Sequence, residues 1–272
     1  MSMQEPLYMI SYDESKQVFN EAMNCFADFY GMNLTEVLAS AKCLRPAAFR
    51  NELQKYAVRY EKSLEEVMAH EGSHGVTLPA GGRYIVLVKY ERDESSFAEK
   101  IRETTYHELG HALSLYQTNL RHPDRENAFQ NPKDKNTEIL LNIGNYVWQE
   151  FIAKYLASHL ITNDNQRILF DMRNRTDMFV QLIGTLRVDT EPFVWYEKLT
   201  DVFAAALNSS IPFSEYTIPA DFGDDLLKRI KTLYGNLYQH CVADADYTIS
   251  AELTEALGYH ICALLNAARK HS

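Results

Sequence analysis

Apolar residues recur at helical spacing along most of this chain. They lie three or four positions apart through residues 13–30, which predicts an amphipathic helix. A second helix is predicted over 35–43, where Thr35 is suited to cap its start, and a third over 45–68, with a proline in its first turn. The second half of the chain is almost wholly helical in pattern, with helices predicted at about 137–161, 163–184, 190–208, 223–241 and 248–270.

The pattern changes in the middle of the chain. Residues 70–82 hold glycines and a proline and predict a loop, whereas 83–90 are β-branched and aromatic and predict the best strand in the chain. Residues 95–117 are helical again. Residues 118–135 are polar with two prolines, which predicts a long loop and a candidate lid or substrate-binding segment. The chain is therefore predicted to be α+β and predominantly helical, with a small sheet.

Length and composition are those of an ordinary globular protein. The chain has 272 residues, of which 46% are hydrophobic, so it can bury a sizeable core. We expect a single domain over residues 1–272. A change in pattern near residue 185 allows a subdivision into a catalytic core with the N-terminal helices, 1–185, and a C-terminal helical subdomain, 186–272.

Charge and cysteine usage narrow the possible partners and location. The net charge of −10 argues against a general nucleic-acid binder, which needs basic surface to displace counterions from phosphates. Residues 1–16 show no secretory signal, and no apolar run approaches the ~20 residues of a membrane helix. The widely spaced Cys25, Cys43, Cys241 and Cys262 favour buried thiols over disulfides. We therefore expect a cytoplasmic protein that binds neither nucleic acid nor membrane.

The segment His107-Glu108-Leu109-Gly110-His111 carries the clearest chemical signal. Four residues is close to one helical turn, so the two histidines project from the same face and can direct their nitrogens at one zinc ion. Glu108 is rotated by about 100° from His107 and lies beside the ion. From there it can take a proton from a water that the metal activates, which is the chemistry that peptide-bond hydrolysis requires.

A chance match is the alternative, and the surroundings of the motif argue against it. The motif lies well inside a helical run, and the predicted strand 83–90 comes just before it. Small residues surround the histidines, as the floor of a cleft requires: Thr104, Gly110, Ser114 and Thr118. Apolar residues occupy the other side, where a core can cover them: Ile101, Leu109, Leu113 and Tyr116.

A hydrolytic zinc site needs a third protein ligand, and Glu150 is the best candidate. The longer metzincin motif, which continues with a glycine and a third histidine, does not match, because this chain has Ser114 and Gln117 at those two positions. Glu150 lies in the middle of a mostly apolar face of the predicted helix 137–161, where a carboxylate is costly unless it is paired, protonated or bound to metal. The alternatives are an ion pair with Lys154, one turn away, or a glutamate at the solvent boundary.

Other residues are weaker candidates for metal binding. Glu138 is more simply a favourable carboxylate in the first turn of a helix, and His159 and Glu191 are weaker still. His70 and His74 frame a glycine-bearing stretch that reads as an exposed loop, since two residues do not complete a zinc site.

The pattern of His107, Glu108, His111 and a later Glu150 resembles that of the gluzincin clan of zinc metallopeptidases. Residues 83–111 and the segment around Glu150 look similar to the compact, phage- and mobile-element-associated ImmA/IrrE type. This resemblance implies a zincin-like core, with a small sheet beside the motif helix and the strand 83–90 pairing with an extended substrate. Thermolysin-like members carry an aspartate where this chain has Lys154. In this clan a His or Tyr from the C-terminal part of the chain usually stabilises the transition state. The resemblance therefore implies this role for one of Tyr155, His159, Tyr238, His240, Tyr247, Tyr259 and His260.

The sequence therefore predicts a zinc-dependent metallopeptidase that acts on a peptide or a flexible protein segment. Zinc is held by His107, His111 and Glu150, and Glu108 is the general base and then the proton donor to the leaving amine. Two alternatives remain open at this point. One is a non-peptidase zinc hydrolase with the same site, and the other is a non-enzymatic helical regulator or binding protein whose metal is structural.

Overall fold

The computed structural model describes residues 11–90, 98–164, 192–208 and 224–270. Most of the predicted helix 163–184 and the predicted change near residue 185 lie outside these residues. The chain divides into two compact units, Met1–Tyr116 and Gln117–Ser272. Helices and one three-stranded sheet make up the described structure, which confirms the prediction of a predominantly helical α+β fold. The single-domain organisation stays a prediction.

Helix α1, Tyr12–Tyr30, opens the first unit and confirms the first predicted helix. Its N-terminus is a capping box, in which the Ser11 hydroxyl accepts from the Glu14 amide and the Glu14 carboxylate accepts from the Ser11 amide. Gly31 ends the helix in the left-handed conformation, with φ of 61°. Phe26 on its buried side lies 6.4 Å, between ring centroids, from Tyr106.

The predicted helix 35–43 is wrong over most of its length. Helix α2 is a single turn, Leu34–Val37, capped by Asn33, and the chain continues as strand β1, Leu38–Leu44. Strand β1 pairs in parallel with β3, Arg83–Lys89. This segment holds good helix formers, but pairing with the most apolar strand of the chain outweighs that local preference.

The predicted helix 45–68 is two helices. Helix α3 spans Pro46–Arg59, and helix α4 spans Leu64–Met68, followed by a 3-10 turn, Ala69–Gly72. Glu61 lies between them with φ of 51°, a conformation that interrupts a right-handed helix. Ser63 then caps α4 by accepting from the amide of Glu66.

The predicted loop 70–82 contains a strand, so that prediction is wrong in its second half. Strand β2, Gly75–Ala80, pairs antiparallel with β3 through a two-residue turn at Gly81 and Gly82, whose φ angles are 63° and 81°. Two positive φ values are what the tight hairpin turn requires, and glycine adopts them without steric cost. Pro79 is compatible with β2 because this strand pairs with β3 on one side only.

Strand β3 lies in the centre of the sheet, in the order β1-β3-β2. The prediction of a strand at 83–90 is confirmed. The expectation that this strand pairs with a substrate is wrong, because both of its edges are already hydrogen-bonded to β1 and β2.

The side chains of strand β2 point alternately to the two faces of the sheet. Val76 and Leu78 join a buried cluster with Leu87 of β3 and with Phe49 and Leu53 of α3. Thr77 points the other way, and its hydroxyl contacts Glu108 of helix α5, Ala98–Arg121. One face of β2 is therefore part of the core, and the other lies against the motif helix.

Helix α5 confirms the helix predicted at 95–117 but continues four residues beyond it. The predicted loop 118–135 is therefore wrong at its start and also in its middle, where helix α6 spans Arg125–Gln130. Arg125 donates to the side-chain oxygen of Asn145 at 2.6 Å, which ties α6 to the following helix. Helical hydrogen bonds and this contact order a segment whose polarity and prolines suggested a loop.

The described secondary-structure elements of the second unit are all helical. Helices α7 (Lys135–Asp164), α8 (Pro192–Asn208), α9 (Asp224–Tyr238) and α10 (Ala251–Lys270) confirm four predicted helices, and a π-helical turn at Gln239–Ala243 follows α9. Helix α7 packs against α8 and α10, and α9 packs against α10. Ser250 caps α10 by accepting from the amide of Leu253.

A helix that spans a membrane needs about 20 consecutive, mostly apolar residues. Helix α7 is the longest, at 30 residues. None of the described helices is both long and apolar enough to cross a membrane.

Candidate metal centre

Helix α5 presents His107 and His111 on one half-buried face. Leu109 and Leu113, which the sequence assigned to the core side, are buried. The expectation that small residues line an open cleft floor is wrong for Ser114 and Thr118, which are completely buried. The Thr118 hydroxyl instead accepts from the backbone amide of Ile249 at 3.3 Å. Small side chains therefore serve close packing along this part of the helix.

The two motif histidines lie close enough to bind one ion. Their Nε2 atoms are 3.1 Å apart, and their ring planes are nearly perpendicular, at 87°. Two nitrogen ligands of a tetrahedral zinc ion, each about 2.0–2.1 Å from it, lie about 3.3 Å apart. The separation of the nitrogens therefore fits a shared zinc ion, and it also fits a hydrogen bond between one protonated and one unprotonated ring nitrogen.

Glu108 is buried between the motif helix and strand β2, with 6% of its surface exposed. Its Oε2 atom is 2.8 Å from the hydroxyl oxygen of Thr77, and so is its backbone carbonyl oxygen. A buried carboxylate needs such a donor, because it loses the hydrogen bonds of water. The structure thus gives the predicted general base a fixed partner on the neighbouring strand.

Gly75 lies against the same carboxylate. A Cβ atom at this position would come within 2.8 Å of both Cγ and Oε1 of Glu108 and within 2.7 Å of Cγ2 of Thr104. Only glycine leaves room for the Glu108 side chain here. The sequence analysis did not predict that Thr77 and Gly75 lie near the site. The alternation of Val76, Leu78 and Ala80 before Gly81-Gly82 is a hairpin signal that points to them.

Glu150 lies on α7 among mostly buried neighbours and is itself half-buried. Burial raises the pKa of its carboxyl, the Lys154 ammonium opposes this rise, and the carboxylates of Glu197 and Asp201 add to it. Lys154 forms its ion pair with Asp201 of α8 at 2.7 Å and also donates to the hydroxyl of Thr200 at 3.0 Å. Lys154 therefore contacts α8 and also acts on the Glu150 carboxyl through its charge, and the alternative of a Glu150–Lys154 ion pair stays open.

One group of three side chains in the described part of the chain can hold a metal ion, and it consists of His107, His111 and Glu150. Each offers one ligand atom, and the three atoms lie within 4.8 Å of one another. Imidazole nitrogens with a carboxylate oxygen are a donor set that zinc accepts in hydrolytic sites. The sequence predicts the same three residues as ligands.

Two of the weaker ligand candidates, Glu138 and His159, have other contacts. The Glu138 carboxylate accepts from Lys135, one turn earlier, at 3.1 Å. The Nδ1 atom of His159 is 2.9 Å from the carbonyl oxygen of Tyr155, so this nitrogen donates within its own helix. His70 lies in the 3-10 turn and His74 just before β2. Glu191 lies outside the described residues.

The predicted stabilisers of the transition state differ widely in their surroundings. Tyr155 is 4% exposed and stacks on Phe151 at 5.9 Å, so it is part of the core. The ring of His240 donates to the carbonyl oxygen of Thr248 at 2.7 Å. Tyr259 is 60% exposed, and its ring lies 6.0 Å from that of His260. None of these environments assigns the role to one residue.

Comparison of the chain with protein-family models, with curated proteins and with solved structures gave no match. The assignment of function therefore depends on the residues of the site themselves.

Proposed function

We propose that this chain is a zinc-dependent metallopeptidase of the gluzincin type. His107, His111 and Glu150 hold the zinc ion, and Glu108 is the general base. The substrate is a peptide or a flexible segment of a protein, because an extended backbone must reach a half-buried site. The grouping of the three ligand atoms within 4.8 Å of one another carries this proposal.

The surroundings of Glu108 support its role. A zinc ion, when bound, lowers the pKa of a water towards ~7 and polarises the carbonyl of the scissile bond. Glu108 is next to His107 in the chain and is not one of the three grouped ligands, and its proposed role is to accept a proton. It then donates that proton to the leaving amine. Glu108 is buried and lies within hydrogen-bond distance of the Thr77 hydroxyl, so its carboxylate has a defined position, as proton transfer requires.

A cleavage assay on a library of unstructured peptides tests the activity. The zinc-loaded protein is expected to release new amino termini, and removal of zinc with a chelator should abolish this release until zinc is restored. Hydrolysis of small amides or esters without any peptide cleavage would favour the non-peptidase hydrolase. No hydrolysis by a fully zinc-loaded protein would favour a structural metal and contradict the proposal.

Zinc content tests the ligand set independently of activity. Glu150→Ala is expected to lower zinc affinity by at least about 10- to 100-fold, since it removes one of three protein ligands. The matched control is Glu138→Ala, on the same helix, where the carboxylate contacts only Lys135 in the described structure. The measurement is bound zinc per chain after dialysis against a series of zinc buffers. Equal affinity in wild type and Glu150→Ala would exclude Glu150 as the third ligand.

A further inference from the structure

We infer that Thr77 is a positioning residue, whose hydroxyl holds the carboxylate of Glu108 in the orientation needed for proton transfer. This inference rests on the proposed function, because it takes Glu108 as the general base. The observation behind it lies wholly within the first unit. It is the pair of 2.8 Å contacts from one hydroxyl oxygen to Oε2 and to the backbone carbonyl oxygen of Glu108.

The backbone of Thr77 is fixed by the sheet. Thr77 pairs with Val86 of the central strand, and its neighbours Val76 and Leu78 are buried in the cluster on the opposite face. The register of β2 therefore determines which side chain faces α5. Threonine is also branched at Cβ, which restricts its side chain to few rotamers. The hydroxyl is thus a preorganised donor that needs no rearrangement to reach Glu108.

Gly75 leaves room for the carboxylate in this place. A Cβ atom at Gly75 would come within 2.8 Å of Cγ and Oε1 of Glu108. Thr77 contacts the other oxygen, Oε2. Two residues of one edge strand, two positions apart, therefore fit the Glu108 side chain: Gly75 by the absence of a side chain and Thr77 by its hydroxyl.

A threonine hydroxyl has only one proton to donate, although two acceptors lie at equal distance. Donation to the carboxylate is the stronger bond because the acceptor is charged. The backbone carbonyl offers a second acceptor at the same place. Thr77 therefore remains hydrogen-bonded to Glu108 whether its proton points to the carboxylate or to the carbonyl oxygen, and this second contact keeps the hydroxyl beside the carboxylate.

The consequence for catalysis is an effect on kcat. Thr77 contacts Glu108, so its loss should leave substrate binding and the metal ligands intact while the carboxylate loses its fixed orientation. Misplacement of a catalytic group by about 1 Å can lower the rate by about 100-fold. We expect Thr77→Val to lower kcat by about 10- to 100-fold with KM changed by less than about twofold. Thr77→Ser keeps the hydroxyl and should restore most of the rate.

Thr105→Val is the matched control. Thr105 is completely buried, and its hydroxyl donates to a backbone carbonyl, that of Ile101, at 2.6 Å. The same substitution there removes a buried hydroxyl from the motif helix but leaves the Thr77–Glu108 contact in place. Its kcat should equal that of wild type. Zinc content should be unchanged in Thr77→Val, Thr77→Ser and Thr105→Val.

A second measurement uses the metal-free protein and no substrate. Denaturant unfolding of wild type, Thr77→Val, Glu108→Ala and the double variant forms a thermodynamic cycle. The two substitutions are expected to be coupled. The effect of the double variant on the unfolding constant should differ by about fivefold or more from the product of the two single effects. The cycle of Thr105→Val with Glu108→Ala should be multiplicative. Thr77→Ala takes the place of Thr77→Val in both experiments if the valine variant does not fold.

The two measurements separate the inference from the proposed function. A wild-type protein without peptidase activity contradicts the function, and the cycle in the metal-free protein then decides alone whether Thr77 holds Glu108. Multiplicative effects in that cycle overturn the inference. So does a Thr77→Val protein that cleaves peptides with wild-type kcat, or a Thr77→Ser protein as slow as Thr77→Val.

Discussion

Glu108→Gln is expected to lower kcat by about 10²- to 10⁴-fold while zinc content and thermal stability stay close to those of wild type. Glutamine has nearly the size of glutamate, and its amide oxygen can accept the hydroxyl proton of Thr77 as Oε2 does. The packing of Gly75 against Cγ is also retained. The amide cannot take up a proton at neutral pH, so the substitution removes the general base and leaves its surroundings intact.

The matched control is Glu103→Gln on the same helix. Glu103 is partly buried, and burial raises the pKa of its carboxyl, but it is not one of the grouped metal ligands. Peptide cleavage under saturating zinc and substrate measures kcat for both variants, and zinc per chain is measured on the same samples. A Glu108→Gln protein with wild-type kcat would rule out Glu108 as the general base. Loss of zinc from Glu108→Gln would instead indicate that Glu108 binds the metal.

The arrangement of the two motif histidines was predictable from their spacing in the sequence. The positions of His107 and His111 relative to each other depend only on the geometry of one helix, and this helix was recognisable from its apolar periodicity. Glu150 was predictable for a different reason. A carboxylate on an apolar helical face needs a partner, and the energetic cost of burying it is visible in the sequence.

Elements that depend on distant pairing were not predictable from local preference. Residues 38–44 favour a helix by composition, yet β1 forms because β3 offers hydrogen bonds and an apolar surface. Strand β2 is short and contains a proline, so its alternation of buried and less buried residues did not predict a strand. Thr77 belongs to this strand, so its contact with Glu108 could not be predicted before the hairpin was placed against the motif helix.

The resemblance to the zincins predicted the small sheet but not the position of its strands. It assigned the substrate edge to residues 83–90, which the structure places in the centre of the sheet. Periodicity shows that a segment is extended and apolar, but a continuous apolar run is more typical of a central strand than of an edge. The apolar run Tyr84–Val88 carried that signal, and β2 is the strand that contacts Glu108.

Gly258→Ala is expected to cause the largest loss of stability, lowering the free energy of unfolding by about 3 kcal/mol. Helices α7 and α10 cross within the second unit, and a Cβ atom at Gly258 would overlap the carbonyl oxygen of Leu140 and lie 2.7 Å from its carbonyl carbon. Gly144 faces the same crossing, where a Cβ atom would overlap the carbonyl oxygen of Thr254. Backbone atoms cannot turn aside as a flexible side chain can, so the two helices must separate.

The matched control for this substitution is Gly235→Ala in α9, where a Cβ atom would meet nothing within 4 Å. Alanine there should raise the free energy of unfolding by about 0.5–1 kcal/mol, because it restricts the unfolded chain and favours the helix. Denaturant unfolding of the metal-free proteins gives both values without any contribution from zinc. Equal denaturation midpoints for wild type and Gly258→Ala would show that α7 and α10 do not cross at these glycines. The general preference of helices for alanine would by itself stabilise both variants. A loss of stability in Gly258→Ala together with a gain in Gly235→Ala therefore shows the effect of close backbone contact.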